Sequence, residues 1–153
     1  MAITNYSDLG TKQNDPTPKQ MLSRDELTPS CGVLNPTYTT VGTETTSTIV
    51  GMIKVRKGTK VFAGRGLLRT SAAVAATAFV VNVGYELADG TADADYFGTL
   101  ININGGAGEF ALDEAVNYEF TQDGWITIQP STVTGAVTAS VTIEGEFMAN
   151  LPL

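Results

Sequence analysis

Alternation of apolar and polar residues is the feature that most limits what this chain can fold into. Between Thr77 and Tyr85 the apolar residues Phe79, Val81 and Val83 fall on one face, which is the period-2 pattern of a half-buried strand. From residue 37 onward no amphipathic helical pattern of ten or more residues interrupts such segments. The predicted strands are Thr46–Val55, Lys60–Thr70, Thr77–Tyr85, Tyr96–Ile103, Val116–Thr121, Gly124–Gln129 and Ala136–Met148. The sequence therefore predicts an all-β fold.

Glycine and proline divide this pattern into seven or eight strands. Gly64 and Gly66 flank Arg65 inside one strand, which predicts a β-bulge or a close backbone approach there. Pro130 predicts a strand end, because proline lacks the amide donor that a central strand needs. Ala72–Ala78 alone has a helix-like composition, and a close-packed connection fits it equally well. The regular spacing of strands and turns predicts a single β-sandwich or jelly-roll-like domain.

The first 36 residues differ from the rest. Four of the six prolines lie there, mixed with Asn, Asp, Lys, Gln and Ser. Proline blocks helix interiors and central strands, so the segment predicts an extended, largely irregular N-terminal arm that a neighbouring surface orders. Pro18–Leu27 has room for about two helical turns. The expected organisation is an arm over 1–36 and a β-sandwich domain over 37–153.

Charge is distributed unevenly along the chain. The first 69 residues carry nine basic and five acidic side chains, whereas the last 84 carry eleven acidic and no basic ones, giving a net charge of −7. This balance argues against nucleic acid as a partner, because phosphate contacts need clustered Lys and Arg. One basic cluster exists, and it fits the outward side of two strands, an acidic protein surface or, least well, nucleic acid. Its members are Lys54, Arg56, Lys57, Lys60, Arg65 and Arg69.

Residue types missing from the chain exclude several chemistries. The sequence has no His and a single Cys, so His-dependent Ser and Cys triads are excluded and the usual zinc ligand set cannot be filled. Cys31 has no partner for an intrachain disulfide. Met1–Gly10 lacks the features of a signal peptide, and the apolar run Ala72–Val81 is too short to span a bilayer. We therefore expect synthesis in the cytoplasm without a recognisable export signal, and no membrane partner.

Acidic clusters are the remaining candidates for a site. Asp89–Asp95 carries three carboxylates that fit a solvated acidic loop or, less well, a cation site without the closing Glu of an EF-hand. Asp113 and Glu114, with Glu119 and Asp123, fit surface turns better than a paired-carboxylate hydrolase. Asn104–Gly108 lacks the Lys and helix of a phosphate loop and fits a turn. The sequence therefore predicts no catalytic, cofactor-binding or metal-binding residue and a non-enzymatic protein.

The aromatic residues allow two interpretations. Most fall in phase with the apolar faces of the strands, which favours core packing over an exposed platform for glycan binding. These aromatic residues are Tyr85, Tyr96, Phe97, Phe110, Tyr118, Phe120 and Trp125. A carbohydrate-binding sandwich that uses Trp125 and Tyr118 with nearby acids stays an alternative.

Several segments together resemble small virion proteins of tailed bacteriophages, of the capsid decoration (cement) type. In those proteins a basic-Gly-Thr turn leads into a strand, a strand ending in Val-Gly opens an Asp/Gly/Ala-rich loop, and a Gly- and Thr-rich strand closes a sandwich. The matching segments here are Ile53–Val61, Phe79–Tyr85, Asp89–Asp95, Gly124–Ile128 and Gly135–Phe147. The resemblance is one of pattern and covers about residues 46–148.

This resemblance implies a capsid decoration protein that stabilises the head by bridging capsomers. It implies the major capsid protein or other virion proteins as partners, a homo-oligomer with a trimer favoured, and a place in the virion on the capsid exterior. A tail, neck or head-fibre component is the alternative inside the same resemblance. Such proteins have no catalytic residues to carry over.

Overall fold

The computed structural model describes residues 3, 5–6, 32–114 and 116–150. Eleven β-strands and no helix occur among these residues. They are β1 (Asn5–Tyr6), β2 (Gly32–Leu34), β3 (Thr37–Thr39), β4 (Val50–Val55), β5 (Lys60–Thr70), β6 (Ala78–Leu87), β7 (Ala92–Asn102), β8 (Gly108–Ala111), β9 (Asn117–Glu119), β10 (Gly124–Thr134) and β11 (Thr142–Asn150). In the part of the chain described, no helix is long and apolar enough to cross a membrane.

The strands form two sheets. The first sheet has the order β1-β4-β10-β6-β7, and the second has the order β2-β11-β5-β8, with β3 also on β11 and β9 also on β5. Neighbouring strands are antiparallel except β1, which runs parallel to β4. The predicted all-β sandwich is thus confirmed. The division into an arm and a domain stays a prediction, because residues 7–31, and with them Pro18–Leu27 and Cys31, lie outside the described residues.

The core lies between the sheets and follows the predicted alternation. Phe79, Phe97, Phe120 and Phe147 are among its largest fully buried side chains. Truncating a side chain of this size in a packed core costs about 3–5 kcal/mol, so these four positions hold the sheets together. The predicted bulge is also present. Strand β5 has Leu67 opposite Glu146 but Phe62 opposite Met148, so extra residues are accommodated around Gly64–Gly66.

Pro130 does not end its strand, contrary to the prediction. Strand β10 continues to Thr134 and pairs with β6 on both sides of Pro130, with a shift of register between Pro130 and Thr132. On its other side β10 pairs with β4 only as far as Ile128. Pro130, which has no amide donor, therefore lies beyond the first residue of β4 and next to a register shift. A sheet tolerates proline at such a position.

Two other predicted strands are too long at their starts. Strand β11 begins at Thr142 instead of Ala136, because residues 135–141 form a connection in which Ser140 has φ of 65°. Strand β4 begins at Val50 instead of Thr46, because the amide of Thr48 donates to the carbonyl of Thr45 in a turn (2.9 Å). The helix-like stretch Ala72–Ala78 forms no helix: residues 71–77 are a connection held by a bridge between Ala75 and Val137, and Ala78 begins β6.

Strand directions place most of the connections at two opposite ends of the sandwich. The register pairs Thr134 with Ala78, Thr70 with Gly108, and Thr142 with Thr39. Connections 40–49, 71–77, 103–107 and 135–141 therefore meet at one end. Connections 56–59, 88–91 and 120–123 meet at the other. Residues 112–114 and 116 lie beside the middle of β5, where the amide of Leu112 donates to the carbonyl of Gly66 (3.0 Å).

Candidate functional site

The three carboxylates of Asp89–Asp95 do not share one loop, contrary to the prediction. Asp89 lies in a turn, where the amide of Thr91 donates to its Oδ1 (2.9 Å) and thereby lowers its pKa. Asp93 and Asp95 belong to β7. Burial, followed by the neighbouring Asp95, raises the pKa of Asp93. Among the described residues no group of three or more acids, Cys or His is placed to hold a metal ion.

The acids of the predicted surface turns have structural roles. Asp123 accepts a hydrogen bond from the amide of Lys57 (2.9 Å), and Asp113 accepts one from the amide of Thr99 (2.8 Å). Glu119 stands opposite Lys60 across β9 and β5. These contacts favour the interpretation as turn- and strand-stabilising acids over the hydrolase interpretation.

Five of the six residues of the basic cluster are exposed and Arg69 is half-buried, but the cluster does not form a separate basic face. Lys54 lies in the first sheet and Lys60 in the second, with Arg56 and Lys57 between them. Arg69 lies on the outer face of the second sheet among three glutamates. Its guanidinium donates to Glu109 (2.8 Å), Glu144 (3.2 Å) and Glu146 (2.8 Å), and the hydrogen bonds with Glu109 and Glu146 raise its pKa. Acids from late in the sequence and bases from early in it thus mix in space.

The aromatic residues mainly form core. Tyr85 and Tyr118 stack with ring centroids 4.2 Å apart, and Tyr96, Phe97 and Phe120 pack around them edge to face or tilted. Burial, followed by the hydrogen bond with Tyr118, raises the pKa of Tyr85 to about 12. Trp125 precedes the buried Ile126 on β10, so it faces away from this cluster. Tyr118 and Trp125 therefore do not form the joint glycan platform that the sequence allowed.

One end of the sandwich is charged. We call connections 56–59, 88–91 and 120–123 the charged end. Each of the three contributes at least one ionisable side chain, and together they carry Arg56, Lys57, Asp89 and Asp123. All four of these side chains are exposed.

The opposite end has no exposed charge in its connections. We call connections 40–49, 71–77, 103–107 and 135–141 the neutral end. Their exposed side chains, all of them described, are Ala, Gly, Ser, Thr and Val. Val41 is the largest exposed apolar side chain of this end, with 59% of its surface accessible. The charges of Arg69 and its glutamates begin one residue pair inside this end, on the outer face of the second sheet.

A buried carboxylate shapes the neutral end, and sequence reasoning missed it. Glu44 is only 4% exposed. It accepts hydrogen bonds from the hydroxyl of Tyr38 (2.7 Å) and from the amides of Val41 (2.6 Å) and Gly42 (2.9 Å). Burial alone would raise the pKa of Glu44, but these three donors lower it below its usual value. The burial of Tyr38 and its hydrogen bond with Glu44 raise the pKa of Tyr38.

The sequence signal for this network was an isolated acid in an otherwise uncharged, Thr-rich stretch, six residues after a tyrosine. The network holds the Val41–Gly42 tip against connection 135–141. There the hydroxyl of Thr40 donates to the carbonyl of Thr138 (2.6 Å), and the amide of Ser140 donates to the carbonyl of Thr40 (2.8 Å). The one acid of the neutral end is thereby turned inward, and the exposed tip is apolar.

Such an end suits contact with another surface better than chemistry on a small molecule. Interface cores are depleted in charged residues, because an unpaired charge loses its hydration on contact. The described residues place no nucleophile beside a base and no cluster of metal ligands there. The candidate functional site is therefore the neutral end as an interface.

Solved structures with the same fold come from phage capsids. The chain matches a chain of the "Cyanophage Pam1 capsid asymmetric unit" with a TM-score of 0.56 and 16% identity, covering 91% of this chain and 97% of that chain. It matches a chain of the "Capsid of Ralstonia phage GP4" with a TM-score of 0.57 and 12% identity, covering 99% of both chains. No protein-family model and no curated protein sequence matches. At these identities the likeness establishes a shared fold over nearly the whole chain.

Proposed function

We propose that this protein is a structural protein of a bacteriophage virion, a capsid decoration (cement) protein that stabilises the head by bridging capsomers. One observation carries the proposal: a sandwich with the fold of two phage capsid chains has one connecting end without exposed charge. The neutral end contacts the shell, and the charged end faces water. The partner is the major capsid protein or another virion protein, and the location is the capsid exterior.

The mechanism is binding that selects the assembled state. A protein that binds only where capsomers meet lowers the free energy of the assembled shell and leaves that of free capsomers unchanged, so it shifts the equilibrium towards the shell. The neutral end has no large aromatic anchor among its described residues, so each copy contributes little. Many weak copies on one lattice give a large total effect through multivalency. A homo-oligomer, with a trimer favoured, would increase it further.

The proposed role is non-enzymatic. The whole sequence has no His, and two of the acids that were candidates for catalysis, Asp113 and Asp123, accept hydrogen bonds from backbone amides. These observations support a protein whose surface, rather than a reaction centre, carries its function.

A tail, neck or head-fibre component is the alternative, and copy number separates it from decoration. Quantitative mass spectrometry of purified virions should find hundreds of copies per particle for a decoration protein. A ring or fibre protein would be present in small multiples of about six to twelve, because these structures follow closed rotational symmetry. A small copy number would overturn the decoration proposal and leave the virion role.

Particles that lack the protein provide the direct test. We expect purified protein to bind such particles to saturation and to raise the temperature at which they release their contents. Val41→Asp and Ala72→Asp place a charge on the neutral end, and Thr121→Asp places the same charge on the charged end as a matched control. Loss of binding by the first two alone supports the proposal. Equal binding by all three would contradict it.

A further inference from the structure

Residues 5 and 6 occupy a defined site on the edge of the first sheet. Strand β1 pairs in parallel with β4, with Asn5 opposite Val50 and Tyr6 opposite Gly51. The amide of Asn5 donates to the carbonyl of Ile49 (3.0 Å), and its side-chain Nδ2 donates to the hydroxyl of Tyr38 (2.9 Å). That hydroxyl in turn donates to the buried Glu44. A specific side-chain contact thus accompanies the backbone pairing.

An apolar contact completes this site. A Cβ at Gly51 would lie 3.0 Å from Cγ2 of Ile3 and 3.1 Å from Cε3 of Trp125. Ile3 therefore lies over Gly51 beside the Trp125 ring, in space that only glycine leaves open. We call the surface formed by Ile49–Gly51, Tyr38 and Trp125 the acceptor edge. It combines strand pairing, one polar contact and one apolar contact, which is the usual means by which a sheet edge recognises an extended segment.

The connection from this segment to the sandwich is longer than its own chain needs. Twenty-five residues, 7–31, separate Tyr6 from Gly32. Fully extended, they span up to about 80 Å, whereas a strand of eleven residues, the longest here, spans about 36 Å. Loops longer than about 15 residues are uncommon between adjacent elements of a compact domain. The length is sufficient to reach an adjacent copy.

We propose that in the assembled state the acceptor edge binds the Ile3–Tyr6 segment of a second copy, so that neighbouring copies exchange their N-terminal segments. The segment makes the same contacts with its own acceptor edge as with that of a second copy. The effective concentrations of the two segments therefore decide which one is bound. A random-coil chain of 25 residues has a root-mean-square length of about 25–30 Å, so the segment of a copy held within this distance competes with the chain's own segment. The proposal rests on the proposed function, because the decorated shell is what holds copies side by side.

Exchange would link copies without any further complementary surface. Each exchanged segment joins two sandwiches through the covalent linker, and a closed ring of exchanges joins all members of an oligomer. This arrangement suits the neutral end, whose weak contacts benefit from such links.

Single-cysteine chains test the exchange. Both carry Cys31→Ser. One is isotopically heavy with Asn5→Cys, which retains the backbone pairing, and the other is light with Thr48→Cys, next to Ile49. A short bismaleimide can join these two cysteines across chains only when the heavy chain's segment lies on the light chain's acceptor edge. Mass spectrometry of mixed samples, free and on particles, should show this heavy–light product at least about tenfold above a control pair in which Thr121→Cys replaces Thr48→Cys.

A second change shows whether the acceptor edge is responsible. Adding Gly51→Val to the light chain fills the space of Ile3 and should reduce the product to the control level, while circular dichroism confirms that the chain folds. The proposal is overturned if the light chain that retains Gly51 gives only the control level of product. It is also overturned if Gly51→Val leaves the amount of product unchanged. Particle binding by the unmodified chain is measured separately, so loss of exchange with intact binding leaves the decoration role standing.

Discussion

Different side chains accept hydrogen bonds from turn amides at the two ends of the sandwich. At the charged end carboxylates accept from turn amides, as Asp89 does from Thr91 and Asp123 from Lys57. At the neutral end hydroxyl and amide oxygens do the same work: Ser71 accepts from the amide of Thr142 and Asn104 from that of Ala75. Turn closure in this fold therefore does not require exposed charge. The absence of exposed charge from the neutral connections is a property of the surface, which fits an interface.

Replacing Glu44 at the neutral end should lower the free energy of unfolding more than any single substitution at the charged end. In Glu44→Leu the hydroxyl of Tyr38 and two amides lose a buried, charged acceptor. We expect the free energy of unfolding to fall by about 3–5 kcal/mol. Urea denaturation monitored by circular dichroism measures it. A change below about 1 kcal/mol would mean that the network does not hold the Val41 tip.

The pH dependence of stability should show the same network. The pKa of Glu44 is lower in the folded than in the unfolded protein, so its contribution is complete above the unfolded value of about 4.3. It is lost as pH falls through the folded-state value. Urea midpoints between about pH 3 and pH 7 should therefore decrease more steeply on the acid side for the unmodified chain than for Glu44→Gln. Parallel curves for the two chains would contradict the assignment.

An added charge at the neutral end should affect binding rather than folding. Ala72 is exposed, so Ala72→Asp should change the free energy of unfolding by less than about 0.5 kcal/mol. Its affinity for particles should nevertheless fall at least about tenfold, because the carboxylate loses hydration in the contact. Thr121→Asp should change neither quantity by these amounts. Calorimetry and particle pull-down measure the two effects.

Asp123→Ala tests the charged end. It removes one exposed acceptor of a turn amide, and we expect a loss of about 1 kcal/mol in the free energy of unfolding. Particle binding should be unchanged. Reduced binding by the folded variant would show that the charged end also contacts the shell, and the contrast between the ends would fail.

Arg69→Gln should have the smallest effect. It leaves Glu109, Glu144 and Glu146 unneutralised close to the neutral end, so particle binding should weaken slightly at low salt. The effect should disappear in about 1 M salt, where such charges are screened. A salt-independent loss would indicate a packing role for the arginine stem instead.

The fold was more predictable than the site because strand patterns are local. Phe79, Val81 and Val83 lie in the core as their period-2 spacing requires, and the bulge at Gly64–Gly66 follows from glycine inside a strand. The end of β10 was not predictable, since the tolerance of Pro130 depends on where the neighbouring β4 stops. Such boundaries depend on which strands pair with each other. Local sequence patterns do not show the pairing of strands that lie far apart in the chain.

The site escaped prediction for the same reason. Charge counted along the sequence separates bases from acids, yet Arg69 meets glutamates 40 to 77 residues away. The neutral end arises from four connections scattered along the chain, and its buried acid becomes visible only when Tyr38, Val41 and Glu44 are brought together. The pattern resemblance to phage virion proteins indicated the same class of fold that the capsid chains share.

The inward-turned Glu44 has a consequence for how a surface of small side chains can bind at all. The Val41–Gly42 tip is held by a carboxylate, a hydroxyl and backbone hydrogen bonds before any partner arrives. Ordering a loop during association lowers affinity through lost conformational entropy, and a tip that is already fixed avoids most of that cost. Ala, Gly and Thr have few side-chain rotamers to immobilise. The neutral end can therefore form specific contacts from groups that individually contribute little enthalpy, with rigidity taking the place of large anchoring side chains.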